Sequence, residues 1–136
     1  MKRLIITGAV VAMGLALAGC SGGAQAEPSP TPTDTRTTLQ KATSECIKGA
    51  TVGMELMDAG KSVEMRTAGE KSPYLTGLKQ SEVDCVLKAS GASSAVLAKM
   101  GKTRALDGTR TDSWSNFEVS YSYHPNSGFA VILEEK

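Results

Sequence analysis

The sequence has very little histidine and no surplus of charge of either sign. Its 136 residues include one histidine, 15 lysines and arginines, and 14 aspartates and glutamates, which gives a formal net charge of +1. A near-neutral balance argues against a nucleic-acid partner, which needs a clear basic excess. One histidine is too few for the common zinc sites, and no His, Cys and Asp cluster has ligand spacing. We therefore expect no metal and no cofactor.

A recognisable catalytic motif is also lacking. No G-x-S-x-G sequence is present, and the single histidine, His124, stands beside Pro125 at an expected turn. A catalytic base needs a nucleophile within hydrogen-bond reach and a group that orients it. We therefore expect that the protein is not an enzyme. The alternative is a small envelope hydrolase using carboxylates or serine, with His124, Asp107 and Asp112 as its best candidates.

Long hydrophobic runs are absent except near the N-terminus. There, Met1–Arg3 is a basic start, and Leu4–Ala16 is an apolar run of the length typical of a signal-peptide core. It closes with Leu17-Ala18-Gly19-Cys20, which resembles the lipobox of bacterial lipoproteins. The resemblance implies cleavage before Cys20 and a diacylglyceryl group on its sulfur, so that the protein is lipid-anchored on the extracytoplasmic face of the cell membrane. The alternative is an uncleaved signal anchor in which Cys20 is incidental.

The composition changes after the lipobox. From Ser21 to Arg36 the chain has no aliphatic side chains suited to a core, and Pro28, Pro30 and Pro32 favour extended polyproline geometry. This segment is typical of a linker. We therefore predict a signal peptide over 1–19, a lipidated cysteine with its tether over 20–37, and a single domain over 38–136.

Cysteine is scarce, with three in the chain. If Cys20 carries lipid, Cys46 and Cys85 remain, and an even pair outside the cytoplasm is most simply a disulfide. Such a bridge closes a loop of nearly 40 residues and is worth roughly 4 kcal/mol in the chain-entropy treatment. That is a large share of the stability of a small domain.

The patterning of residues 38–136 predicts an α+β domain in the order α-ββ-αα-ββ. Thr37-x-x-Gln40 has the form of a capping box, Ser81-x-x-Asp84 opens a second helix, and Ser93 caps a third. Alternating apolar residues predict two hairpins, 51–57 with 62–67 and 114–123 with 129–134. We expect an antiparallel sheet with the helices packed on one face.

Alternation along the predicted strands also assigns side chains to the core. In the first hairpin, Val52, Met54 and Leu56 are expected to face inward with Val63 and Met65. The segment 68–80 is predicted to be a loop that tucks three side chains onto the core: Tyr74, Leu75 and Leu78. The last hairpin has one apolar face, formed by Phe117, Val119, Tyr121, Tyr123, Phe129, Val131 and Leu133.

The most individual segment of the domain runs from Lys102 to Trp114. It contains two arginines, two aspartates and the only tryptophan, and arginine and tryptophan are over-represented in binding hot spots. The sequence therefore predicts a binding loop of Arg104, Asp107, Arg110, Asp112 and Trp114. The alternative is internal: an arginine of this segment pairs with an aspartate, and Trp114 closes the core.

Two further resemblances concern the helices. The fragment Ala89-Ser90-Gly91-Ala92-Ser93, within Glu82–Met100, resembles part of a DNA-binding helix-turn-helix. The export signal, the expected disulfide and the lack of basic excess argue against DNA binding, and a packed helical hairpin gives the same pattern. A helical hairpin followed by a β-hairpin also distantly resembles the helix-helix-strand-strand unit of β-lactamase-inhibitor-like domains, although no motif is close enough to carry residues across.

Together these observations predict a non-catalytic binding or inhibitory module at the cell surface. A lipid anchor would hold such a module at high local concentration beside a protein or cell-envelope partner. Small surface lipoproteins are similar in size and anchoring. An alternative within this class is a phage superinfection-exclusion lipoprotein that blocks entry at the envelope.

Overall fold

The structure is a computed structural model that describes residues 34–49, 52–72 and 76–136. The predicted signal peptide and Cys20 lie outside these residues. Within them, the helices are α1 (Thr38–Cys46), α2 (Gln80–Ala89) and α3 (Ser94–Met100). The strands are β1 (Met54–Met57), β2 (Ser62–Arg66), β3 (Arg110–Trp114), β4 (Phe117–His124) and β5 (Gly128–Glu135). No helix in the described part of the chain is long and apolar enough to cross a lipid bilayer.

The five strands form one antiparallel sheet in the order β1-β2-β5-β4-β3. The last strand, β5, is therefore central, with β2 on one side and β4 on the other. Alternate residues of the sheet are buried under the helices, and the residues between them face the open side. This architecture confirms the predicted α+β class, with an antiparallel sheet and helices on one face.

The core lies between the helices and the covered face of the sheet. The helices bury Leu39, Val83, Val86, Leu87 and Met100, and the sheet opposes them with Val63, Met65, Val119, Tyr121, Val131 and Leu133. Each such aliphatic side chain contributes about 1.5–3 kcal/mol when it is withdrawn from water. The predicted inward positions of β2, β4 and β5 are thus confirmed, except that Tyr123 is partly exposed.

The number of strands differs from the prediction. The strand expected to begin at Trp114 is two strands, because Ser115 and Asn116 form a tight turn and Arg110–Trp114 pairs with β4. Ser115 has a φ of 48°, which suits this turn. β3 carries no aliphatic residue, so the alternation of apolar side chains that reveals a half-buried strand is missing.

The beginning of α1 confirms the predicted capping box. The Gln40 backbone N–H donates to Thr37 Oγ1 at 3.1 Å, and the Thr37 N–H donates to Gln40 Oε1 at 2.9 Å. The Thr37 hydroxyl also donates to the Gly60 carbonyl oxygen at 2.5 Å. The Thr37 side chain thus caps the start of the helix and attaches it to the turn between β1 and β2. The helix ends at Cys46 with Ile47 as its C-cap.

The structure confirms the Cys46–Cys85 disulfide, which joins α1 to α2 with a Cα–Cα distance of 5.6 Å. α2 begins at Gln80, one residue before the predicted start, because the Glu82 carboxylate accepts the Lys79 N–H at 2.8 Å. A carboxylate in the first turn takes the place of the expected serine cap. The predicted cap of α3 is confirmed, since Ser93 Oγ accepts the Val96 N–H at 3.3 Å.

The edge strand β1 is less buried than predicted. Met54 packs against the core, but Leu56 is partly exposed, and Val52 precedes the strand with 53% of its surface accessible. An edge strand is covered on fewer sides than a central one, so alternation alone overestimates its burial. Leu78 is buried, as predicted. Tyr74 and Leu75 lie outside the described residues.

The β4–β5 hairpin confirms the predicted turn after His124, and the chain that follows β2 holds it in place. The Thr67 N–H donates to the Phe129 carbonyl at 2.9 Å, and Thr67 Oγ1 accepts the Phe129 N–H at 2.8 Å. Gly128 has a φ of 83°, and a Cβ there would collide with the Thr67 carbonyl oxygen. Glycine is therefore required twice, for its backbone angle and for the close approach.

Candidate functional site

The structure places the predicted binding residues on two elements. Arg104 caps a 3₁₀ turn at Ala105–Asp107 and Asp107 is its last residue, whereas the other three belong to β3. The prediction of a continuous loop is therefore wrong. In β3, Arg110, Asp112 and Trp114 lie opposite core-facing residues of β4, so they occupy the helix-covered side of the sheet edge. The segment has only a weak strand pattern of its own, and pairing with β4 makes it a strand.

We call Arg104–Asp107, which contains the 3₁₀ turn, the Leu106 turn. It is stabilised by bonds between its first and last residues. The Arg104 N–H donates to Asp107 Oδ2 at 2.8 Å, and the Asp107 N–H donates back to the Arg104 carbonyl at 3.0 Å. The Arg104 guanidinium adds an ion pair at 3.4 Å. These backbone and side-chain hydrogen bonds lower the pKa of Asp107. Arg104 and Asp107 thus form one of the internal pairs that the sequence allowed.

Asp112 is bound by two groups that the sequence did not connect with it. Lys99 Nζ of α3 donates to Asp112 Oδ1 at 2.6 Å, and the Tyr121 hydroxyl donates to Oδ2 at 2.8 Å. The lysine hydrogen bond is the largest cause that lowers the pKa of Asp112. Burial, followed by the hydrogen bond to Asp112, raises the pKa of Tyr121. Asp112 therefore ties α3, β3 and β4 together at the sheet edge.

Trp114 is turned toward the domain interior. Its indole Nε1 donates to the Ser90 carbonyl at the end of α2 at 2.9 Å, and its ring lies 6.4 Å from that of Phe117. The side chain is half-buried against the hydrophobic core. These contacts support the alternative in which Trp114 closes the core rather than serving as an exposed anchor.

The large exposed side chains of this region include cations and one leucine. Leu106 is 96% exposed, the highest value among the large hydrophobic residues described. The side chains of Lys99 and Arg104 are 62% and 78% exposed, whereas their partners Asp112 and Asp107 are 16% and 18% exposed. The carboxylates therefore act as internal braces, and the surface of the region is basic. Sequence reasoning passed over Leu106 because a single leucine in a turn has no pattern around it.

The helical hairpin is built for packing. Gly91 has a φ of 97° and lies beneath the Trp114 ring, and the Ala92 N–H donates to the Leu87 carbonyl at 2.9 Å. Ala92 is itself buried. A glycine turn between two helices whose apolar faces join one core accounts for the helix-turn-helix resemblance.

His124 lies at the β4–β5 turn and is exposed. Its Nδ1 accepts the Asn126 N–H at 3.2 Å, which is a local turn contact. Across residues 34–49, 52–72 and 76–136, no hydrogen bond joins His124 to Asp107 or Asp112. The same residues contain no group of three His, Cys, Asp or Glu side chains that could hold a metal ion. The structure thus does not bring the candidate catalytic residues into contact.

The open face of the sheet carries a shallow hollow of about 280 Å³ near its β1 edge, lined by Gly53, Met54, Glu55, Glu64 and Arg66. Glu64 and Arg66 form an ion pair within it. Glu55 lies directly opposite Glu64 in the strand register, so the hollow holds two carboxylates and one cation. No histidine or cysteine lines it.

Comparison with protein families, with curated proteins and with solved structures found no match to this chain.

Proposed function

We propose that this protein is a lipid-anchored, extracytoplasmic binding module without catalytic activity, whose contact surface is the Leu106 turn together with Arg110. The Leu17-Ala18-Gly19-Cys20 sequence supports the anchor, since it follows a basic start and an apolar run. The proposal gives the domain a location at the cell membrane and a cell-envelope component as its partner.

One observation carries the choice of surface. Leu106 is 96% exposed on a turn that is held rigid by Asp107, so a large apolar side chain is presented to solvent in a fixed position. Leu106 contributes nothing to the core, so the burial of apolar surface on folding does not account for its position. Because the turn is already ordered, less conformational entropy is lost when the leucine binds a partner.

A photocrosslinking experiment on intact cells tests this proposal. A photoreactive amino acid is placed at Ala105, which is exposed within the Leu106 turn, and in a second variant at Val52, which is exposed beside the opposite sheet edge. We expect an adduct with a discrete envelope component from Ala105 and none of that mass from Val52. Identical products from both positions, or none from either, would contradict the choice of surface.

A substitution distinguishes binding from hydrolysis. His124→Ala should leave the adduct from Ala105 unchanged, because His124 contacts the backbone of its own turn. Arg110→Ala should reduce the adduct, because Arg110 is an exposed cation that leads from the turn into β3. Loss of the cellular phenotype in a folded His124→Ala protein would instead favour the envelope hydrolase.

A further inference from the structure

We propose that the ligand of the Leu106 turn is an anionic lipid surface. In this arrangement, Leu106 enters the acyl region, and the cations around it contact headgroup phosphates: Lys99, Lys102, Arg104 and Arg110. The inference rests on the proposed function, since it names the partner of the same surface. It follows from the arrangement of charge and exposure around one leucine.

The charge of the surface is the first argument. Between residues 99 and 112 there are four cations and two carboxylates. Both carboxylates are hydrogen-bonded within the domain and mostly withdrawn from solvent, whereas Lys99 and Arg104 remain well exposed. The groups that meet an approaching surface are therefore positive. Basic residues near an anionic bilayer each strengthen the attraction, and salt weakens it.

The shape of the surface is the second argument. The neighbours of Leu106 along the chain are small or polar, and Ala105, Gly108 and Thr109 are all exposed. Leu106 therefore has no apolar neighbour along the chain with which to form the patch that a protein interface of ordinary size would bury. The hydrocarbon of a bilayer accepts a projecting leucine without a matching pocket, and interfacial anchors combine such residues with a basic surround.

The attachment geometry is the third argument. Thr37, the N-cap of α1, is bound to Gly60 beside β1, at the end of the sheet that holds Ser62 and Glu134. The Leu106 turn precedes Arg110, which begins β3 at the other edge and the other end of the sheet. The beginning of α1 and the Leu106 turn therefore lie at opposite corners of the sheet. A bilayer contact at the Leu106 turn would be a point of attachment separate from the corner at which α1 begins.

The test uses the mature chain, residues 20–136, with Cys20→Ser, so that any membrane contact comes from the protein itself. We expect it to sediment with vesicles of equal parts phosphatidylglycerol and phosphatidylcholine, and not with phosphatidylcholine alone. Leu106→Ala should lower the partition coefficient about fiftyfold, because three fewer carbon atoms are buried. Val52→Ala is the matched control, since Val52 is also exposed but beside the opposite sheet edge, and should change it less than twofold.

Charge is tested by a second matched pair. Lys102→Gln should lower binding to the anionic vesicles about fivefold, the contribution expected for one basic residue near the surface. Lys61→Gln removes the same charge beside Gly60, at the corner of the sheet opposite the Leu106 turn, and should leave binding unchanged. Equal effects of the two substitutions would mean that net charge alone drives binding, which would overturn the proposal.

A spectroscopic pair reports insertion directly. Leu106→Trp should show a blue shift of tryptophan emission on adding anionic vesicles, and Val52→Trp should not. No binding, binding without lipid preference, or no shift at position 106 would overturn the lipid ligand. If vesicles fail while the photoreactive residue at Ala105 still captures an envelope protein, the proposed function stands and the lipid inference falls. If neither gives a position-specific signal, both fall.

Discussion

Asp112 shows how one residue can conceal a strand. It lies opposite Val119, a fully buried residue of β4, in a position where alternation calls for an apolar side chain. A carboxylate is tolerated there because Lys99 and the Tyr121 hydroxyl supply hydrogen bonds that replace water. Neither partner is near Asp112 in sequence, so no local pattern identifies the site. The interaction is visible only once α3 and β4 are in place.

The lowered pKa of Asp112 predicts acid sensitivity. A carboxyl group whose pKa is lower in the folded state stabilises the fold above its ordinary unfolded value of about 4, and that stabilisation is lost as pH falls through the folded value. Asp112→Asn should therefore lower the Tm at pH 7 and flatten the decline in Tm from pH 5 to pH 2. Lys99→Ala should reproduce part of this change, because the ammonium group is the largest cause. An unaltered pH profile in both variants would contradict this role.

Trp114 gives a second prediction at this scale. Trp114→Phe keeps an aromatic ring against Phe117 but removes the hydrogen bond to the Ser90 carbonyl. We expect the free energy of unfolding to fall by about 1 kcal/mol, the usual net value of such a bond. Urea denaturation followed by circular dichroism measures it. Because Trp114 faces inward, vesicle binding by the folded variant should not change, and a variant with wild-type stability but lost binding would return Trp114 to the contact surface.

At the scale of elements, the sequence predicted what local chemistry determines. The capping box at Thr37, the cap at Ser93 and the turn at Gly128 depend on residues a few positions apart, so they are readable before folding. The exposure of Leu56 and the strand Arg110–Trp114 depend on position within the sheet. Both lie at sheet edges, where pairing and cover come from distant parts of the chain, and periodicity carries little information there.

The disulfide between α1 and α2 gives a prediction for these elements. The double variant Cys46→Ser with Cys85→Ser should lose about 4 kcal/mol of unfolding free energy. The bridge joins cysteines 39 positions apart and thereby lowers the conformational entropy of the unfolded chain. Urea titration of the wild-type protein with and without reductant provides the comparison. Reduced wild type and the double variant should unfold at the same urea concentration. Unchanged stability in both would show that the helices are held by packing alone.

For the whole molecule, the fold of the described domain was easier to predict from the sequence than its surface. The domain could be predicted at the level of its class, its disulfide and most of its elements, because a small core leaves few arrangements for an amphipathic pattern. The proposed contact surface could be predicted only as a segment. Its exposed leucine, Leu106, was missed because exposure of a single side chain depends on the complete fold.

The proposed anchor is tested on the complete precursor. Cys20→Ala should leave the chain uncleaved and without lipid, because the diacylglyceryl group needs the Cys20 sulfur. Intact mass and membrane fractionation measure the outcome, and Ser21→Ala serves as the neighbouring control that should be processed normally. Ordinary cleavage and membrane retention of Cys20→Ala would contradict the lipoprotein interpretation.

The central position of β5 bears on the timing of biogenesis. β2 and β4 each lack one of their two neighbouring strands until residues 128–135 have been synthesised. Before then, the β1–β2 hairpin is an isolated two-stranded unit of marginal stability. At synthesis rates of about 5–20 residues per second, more than three seconds separate β2 from its partner. During that interval the nascent chain has no complete sheet that could hinder its passage through a channel. If the chain is exported as proposed, a translocation channel that accepts only extended chains could admit it during this interval, before the complete sheet forms.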